Sequence, residues 1–197
     1  MKANPEQSSD DPLLADLVRR SPREVRQMTP EEREALKVRI DRVKVKKMSP
    51  EAALALLQLE AEYYRHSGNM LTACDLYSQA ADRLLSFKLR LDRTRHQEIL
   101  IEAATVLKQS GAVAANLKRA VKYLETISSI TTQDLRVFAM LAEMHALLGN
   151  DERYHLFCEK ARNKLDTGGA ALSFHLRELA ESAPSGAQDV YGGEDNV

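Results

Sequence analysis

Three glycines, Gly68, Gly111 and Gly149, each stand between two long stretches whose apolar residues recur every three or four positions. That period is helical, and a glycine directly after such a stretch can take the left-handed backbone conformation that ends one helix and releases the chain into the next. The glycines lie about 40 residues apart, a spacing within the range of helical repeats. A chain punctuated in this way is constrained to fold as consecutive antiparallel helix pairs. The expected helices run from Pro50 to Ser67, Met70 to about Leu91, Arg95 to Gln109, about Ala115 to Ser128, Gln133 to Leu148 and Asp151 to Leu165, with a seventh over 170–182.

Upstream, Asp11-Pro12, Ser21-Pro22, Thr29-Pro30 and Ser49-Pro50 each put a capping side chain before proline. The cap oxygen accepts an otherwise orphaned amide hydrogen, and proline at the first helical position has no amide hydrogen to lose. Glu24 and Glu32 complete capping boxes with Ser21 and Thr29. Residues 1–29 read as a flexible or short-helical extension. Residues 30–49 read as a basic helix with Ala35, Leu36, Ile40 and Val43 on one stripe, although Lys37 to Ile40 and Lys44 to Lys46 alternate like a strand. The sequence predicts an all-α fold, with helical hairpins over 50–182 and an acidic, disordered tail over 183–197.

Around Gly68 the pattern becomes specific. Ala61 and Tyr64 precede the glycine, and Ala73, Tyr77 and Ala80 follow it, spaced by four and three. The stretch resembles a tetratricopeptide repeat, in which small residues let paired helices approach, aromatics fill the gap to the next repeat, and a Gly-Asn turn joins the helices. Ala142, Gly149-Asn150 and Ala161 give a second copy, with His145 and Cys158 at the aromatic positions. The middle unit, Ala103-Ala104, Leu107 and Gly111, matches through Ala120 and Leu124 if its turn carries about four extra residues. The resemblance implies a right-handed superhelix of about three hairpins, closed by a capping helix whose stripe is Leu172, Leu176 and Leu179.

Motifs for chemistry are sparse. The sequence has no GxxxxGK[ST], GxGxxG or HExxH pattern. His155 and Cys158 lie three apart with His145 upstream, a spacing compatible with metal ligation, but interior packing of His145 and Cys158 is the preferred reading. Glu60, Glu62 and Glu102 read as solvated or helix-pairing residues. No enzyme activity, metal or cofactor is expected. Two cysteines, Cys74 and Cys158, are too few for a disulfide framework and read as buried thiols. No stretch reaches the ~20 apolar residues of a membrane span, and with no secretory-type apolar segment near Met1 a cytoplasmic location is expected.

Binding is the remaining class. The resemblance implies a concave groove lined by the first helix of each pair, suited to a partner peptide or helix. Its candidates are Gln58, Glu62 and Arg65, then Glu98, Ile101, Thr105 and Lys108, then Arg136, Ala139 and Glu143. Glu62→Lys is expected to spare folding and weaken a groove ligand. Gln58, Glu62, Ile101 and Thr105 stand where relatives that grip a chaperone carboxylate carry Lys and Asn, which disfavours that ligand. Lys37, Arg39, Arg42, Lys44, Lys46 and Lys47 form a basic cluster that could contact an anionic partner. It lacks interleaved aromatics, and 28 Lys+Arg against 29 Asp+Glu give a net charge of −1, so nucleic acid is disfavoured. The expectation is a protein-interaction adaptor, scaffold or chaperone-like module. A secretion-type client chaperone and a nucleic-acid-associated helical protein are the alternatives, and homo-oligomerisation through an uncovered end is open.

Overall fold

The computed structural model describes residues 11–86, 93–111, 113–130 and 134–166. Within them the protein is all-α: α1 (Pro12–Arg19), α2 (Pro22–Gln27), α3 (Pro30–Lys44), α4 (Pro50–His66), α5 (Met70–Ser86), α6 (Arg93–Gln109), α7 (Ala114–Ile130), α8 (Leu135–Leu147) and α9 (Asp151–Asp166). The expected helix over 170–182 and the tail over 183–197 lie outside the described residues. So do residues 1–10.

The four proline-led starts are capped as their chemistry dictates. The Asp11 carboxylate accepts the Leu13 amide at 3.0 Å, Ser49 Oγ accepts the Ala52 amide at 3.1 Å, and Ser21 with Glu24 and Thr29 with Glu32 form reciprocal boxes. Over 37–46 the helical period prevails over the strand-like one. Leu36, Ile40 and Val43 are buried, whereas Val38 and Val45, which the alternation would also have placed inside, are exposed.

The chain divides into two compact units at Tyr123 and Leu124, inside α7. In the first, α4 is central. Every residue from Leu54 to Glu62 is buried, the condition of a helix covered on all sides rather than along one stripe. Against α5 it packs through small residues, Ala61, Ala73, Ala80 and Ala81 having no exposed surface, so the backbones approach closely. From the N-terminal segment, Leu14, Leu17, Val25, Leu36, Ile40 and Val43 form one cluster with Ala52, Leu56 and Leu59 of α4. Helix α5 continues onto α6, where Cys74 Sγ lies 3.5 Å from the Val106 carbonyl. The start of α7 is tied to α5: Tyr123 donates its hydroxyl hydrogen to Asp82 at 2.9 Å, and Arg119 pairs with the same carboxylate. Burial and that hydrogen bond push the Tyr123 phenol up to about 12.

In the second unit α8 packs on α9, with Val137, Phe138, Leu141, Ala142 and Met144 buried opposite Phe157, Cys158 and Ala161. The His145 ring is stacked on Phe157, centroids 5.5 Å apart and planes within 4°. Both thiols are buried and free, and burial pushes both up, away from the reactive thiolate form.

Two of the turns are the same device. At Gly68 the Asn69 amide donates to the Tyr64 carbonyl at 2.9 Å, and the Asn69 side chain then accepts the Thr72 amide. At Gly149 the Asn150 amide donates to the His145 carbonyl at 2.9 Å, and Asn150 accepts the Arg153 amide. Glycine closes one helix with positive φ, and asparagine opens the next. The middle connection differs. Since α6 ends at Gln109 and α7 begins at Ala114, it is one residue longer than the other two rather than about four. Leu117, Ala120, Val121, Tyr123 and Leu124 supply its buried stripe.

Two predictions follow from this packing. A Cβ at Gly68 would meet nothing within 4 Å, so only its φ of +83° penalises a side chain. Gly68→Val is expected to lower unfolding free energy by about 2 kcal/mol, measured by urea denaturation, and Gly68→Asn by clearly less. His145 is held below its ordinary value, chiefly by burial and also by Arg153, with Glu125 opposing. Its folded value being depressed, stability is intact above the ordinary value near 6.5 and falls as pH drops below it. The thermal midpoint should therefore decline from about pH 7.5 to about pH 5. His145→Phe should make that decline shallower, while His96, also lowered by burial, keeps part of it.

Candidate functional site

The polar centre of the first unit is the Glu62 carboxylate, which has no solvent exposure. It sits one turn from the end of α4, with Arg65 and His66 its neighbours in that last turn. Three other helices converge on it. From α2, Arg26 Nη2 donates to Glu62 Oε1 at 2.8 Å and its Nε to the same oxygen at 3.2 Å. From α5, Tyr77 donates its hydroxyl hydrogen to Oε1. From α6, Glu102 lies 2.9 Å from Arg26 Nη2, and Arg65 stands 3.6 Å from both carboxylates. Two guanidinium groups thus balance two carboxylates inside the fold. The hydrogen bond to Glu62 holds the Arg26 guanidinium more firmly protonated, and burial beside that carboxylate pushes the Tyr77 phenol up.

The contacts continue along the α4–α6 face. Arg23 of α2 lies 3.2 Å from Glu98, Arg95 donates to Gln58 at 3.2 Å, and Arg65 donates to Gln109 at 2.8 Å. Ser21 and Pro22 start α2 where its Arg23 and Arg26 reach two different helices. The cavity left between α2, α4, α5 and α6 holds only about 40 Å³, far below the size of a small-molecule site. A wider cleft of about 250 Å³ opens among α1, α2 and α3. Its polar groups are already engaged: Arg20 and Arg39 on Asp16, Glu32 on its capping box.

The expected groove residues fall into different environments. Gln58 and Glu62 are buried beneath α2, not open to a ligand, and Ala139 is buried in the second unit. Arg65, Glu98, Ile101, Thr105 and Lys108 are half-buried on α4 and α6, Thr105 returning its hydroxyl hydrogen to the Ile101 carbonyl at 2.8 Å. Arg136 is exposed and pairs with Asp134 beside it, and Glu143 is half-buried. Glu60 and Glu62, read as solvated or helix-pairing residues, are buried, and Glu62 faces Arg65 and His66 of its own helix. In the extension over 1–29, read as flexible or short-helical, the residues from Asp11 onward form two short capped helices seated on α4.

Four of the six residues of the basic cluster are likewise engaged within the fold. Lys37 and Lys44 converge on the buried Glu60 carboxylate, Lys37 also reaching Asp41 at 2.6 Å. Arg39 pairs with Asp16 and Lys46 with Asp11, both on the α1 side. These pairings hold the Asp11 and Asp16 carboxyls below the ordinary carboxylate range. Arg42 and Lys47 are exposed. Of the cluster read as a possible contact for an anionic partner, Lys37, Arg39, Lys44 and Lys46 instead serve as clamps to the chain's own carboxylates on α1, α3 and α4. Tyr64 lies half-buried under Lys37, 5.6 Å from its ring, and Tyr63 donates to Glu34 at 2.7 Å. Arg26 and Tyr77, the partners that make Glu62 a buried centre, carry no local signal for that role. The hint was that a Glu stands within the continuous apolar run of α4.

No histidine, cysteine or carboxylate cluster among the described residues has the grouping of a metal site. Among them, no helix is long and apolar enough to cross a membrane. No protein-family model and no curated protein matches the sequence. Among solved structures, the chain is similar to the crystal structure of BtubC (BKLC) from P. vanneervenii, at 17% identity and a TM-score of 0.50. That match covers 95% of this chain and 100% of BtubC. At that identity the similarity concerns the fold.

Glu62→Lys, which the open-groove reading expected to spare folding, should instead destabilise the first unit. It places a third cation against Arg26 and Arg65 and strands Tyr77. The loss should reach about 3 kcal/mol or more, the size seen when one partner of a buried pair is removed. Denaturant unfolding followed by circular dichroism measures it.

Proposed function

We propose that this protein is a protein-interaction module, a cytoplasmic adaptor or scaffold of tetratricopeptide-like helix pairs that performs no chemistry of its own. The observation that carries the reading is that the polar face shared by α4 and α6 already holds a helix, the chain's own α2, through Arg26 on Glu62 and Glu102 and Arg23 on Glu98. A surface that grips a helix by preplaced carboxylates is a recognition surface. The paired glycine-asparagine turns and the alanine-lined contact of α4 with α5 support the family resemblance. The enclosed space beside the Glu62 centre is too small for a substrate, which weighs toward binding a macromolecule.

The test is affinity capture from the source-cell lysate with the full-length chain as bait, after nuclease treatment. It is repeated with Glu98→Lys/Glu102→Lys, a change at two partly exposed positions of the same face. A stoichiometric protein retained by the parent chain and lost by the variant is the expected result. Capture of nucleic acid alone would overturn the reading.

A further inference from the structure

We infer that the segment Pro22–Gln27 is an intramolecular ligand, and that the α4–α6 face beneath it receives a helix of a partner protein carrying two arginines three residues apart with an apolar residue between them. The inference rests on the adaptor reading and specifies its partner. In this chain the motif is Arg23, Val25 and Arg26.

Helix α2 has the make-up of a docked ligand rather than a core element. Val25 is its one buried residue, against nine consecutive buried residues in α4. Its other attachments are Arg23 on Glu98, with side chains 71% and 44% exposed, and Arg26, 35% exposed, on Glu62 and Glu102. The Arg23–Glu98 pair, open to water on both sides, is weakened by salt and exchanges readily, whereas Arg26 is held at the buried Glu62 carboxylate. Arginine suits the task because its planar fork engages two carboxylates at once, as Arg26 does.

The receiving face keeps part of its pairing without the arm. Glu62 retains the Tyr77 hydroxyl and Arg65, and Glu102 retains Arg65. Departure of α2 would remove the two Arg26 hydrogen bonds and at the same time open Glu62 to water, whose hydration would take the place of the guanidinium. The arm also has a natural pivot. The Arg33 guanidinium on α3 donates to the Met28 carbonyl at 2.9 Å, which fixes the chain just after α2 while α3 stays clamped to α4 through Lys37 and Lys44 on Glu60.

An occupant tethered this closely competes at an effective concentration in the millimolar range, so an added ligand binds only in proportion to the fraction of open molecules. The experiment uses the full chain and a fluorescent peptide of residues 11–29, followed by anisotropy. Arg23→Glu/Arg26→Glu turns the arm's charges against Glu62, Glu98 and Glu102. That variant should bind the wild-type peptide about tenfold or more tightly than the parent chain does. It should not bind a peptide with both arginines replaced by alanine. Equal binding by parent and variant, or no binding by either, overturns the inference.

Should the variant fail to fold, hydrogen exchange of the parent chain between low and about 0.5 M salt decides. Selective acceleration over 22–27, with α1, α3 and α4 unchanged, supports the arm, and acceleration of all four helices together overturns it. The two readings fail separately. A captured partner indifferent to Glu98→Lys/Glu102→Lys and to the arm's arginines leaves the adaptor standing and removes the arm, whereas peptide binding without any captured partner does the reverse.

Discussion

Removing a carboxylate from water costs several kcal/mol unless its charge is matched and its oxygens are hydrogen-bonded. At Glu62 the charge is matched by Arg26 on α2 and Arg65 on α4 itself, with Glu102 of α6 balancing the second guanidinium. Oε1 is hydrogen-bonded by Arg26 and by Tyr77 on α5, while Oε2 makes no hydrogen bond among the described residues and faces His66, 3.4 Å away. The positions of four helices are coupled through one side chain. Sliding these packed helices past one another lengthens the hydrogen bonds while Glu62 stays buried, so the centre fixes register where apolar packing alone would tolerate sliding.

The same logic recurs at lower burial on α3. Glu60, also buried, takes Lys37 and Lys44, while Arg39 and Lys46 bind the carboxylates of Asp16 and Asp11. Two kinds of contact hold the N-terminal helices to α4. An apolar cluster built from Leu14, Leu17, Val25, Leu36, Ile40 and Val43 supplies the larger stabilisation, since each fully buried aliphatic side chain contributes about 1.5–3 kcal/mol. The ion pairs supply orientation. Most of the apolar contribution belongs to α1 and α3, which leaves α2 the most electrostatic of the three.

The turns were legible in the sequence because their causes are local. Gly68-Asn69 and Gly149-Asn150 each need only a residue free to take positive φ and a side chain that caps the next helix, and both requirements are met within a few residues. The four cap-proline starts are local in the same sense. Val38 and Val45 show how an ambiguous run is resolved: both periods fit lysine-valine alternation, and the helix prevails because Leu36, Ile40 and Val43 share the face that meets α4. The burial of Gln58 and Glu62 was not legible. On an isolated hairpin they occupy a polar line that faces water. Only a segment more than thirty residues upstream, folded back by its own caps, covers them.

By itself, then, the sequence determined the helical class, the helix starts, the glycine turns and the alanines that let α4 and α5 touch, because each depends on backbone conformation or side-chain size within one or two turns. Tertiary structure alone decided the fate of the charges. Whether a Glu is solvated or buried, and whether six clustered cations face an outside partner or the chain's own carboxylates, depends on which distant segment arrives beside it. The energy of a charge is set by the water it loses and the opposite charge it gains, and neither is encoded in its neighbours along the chain.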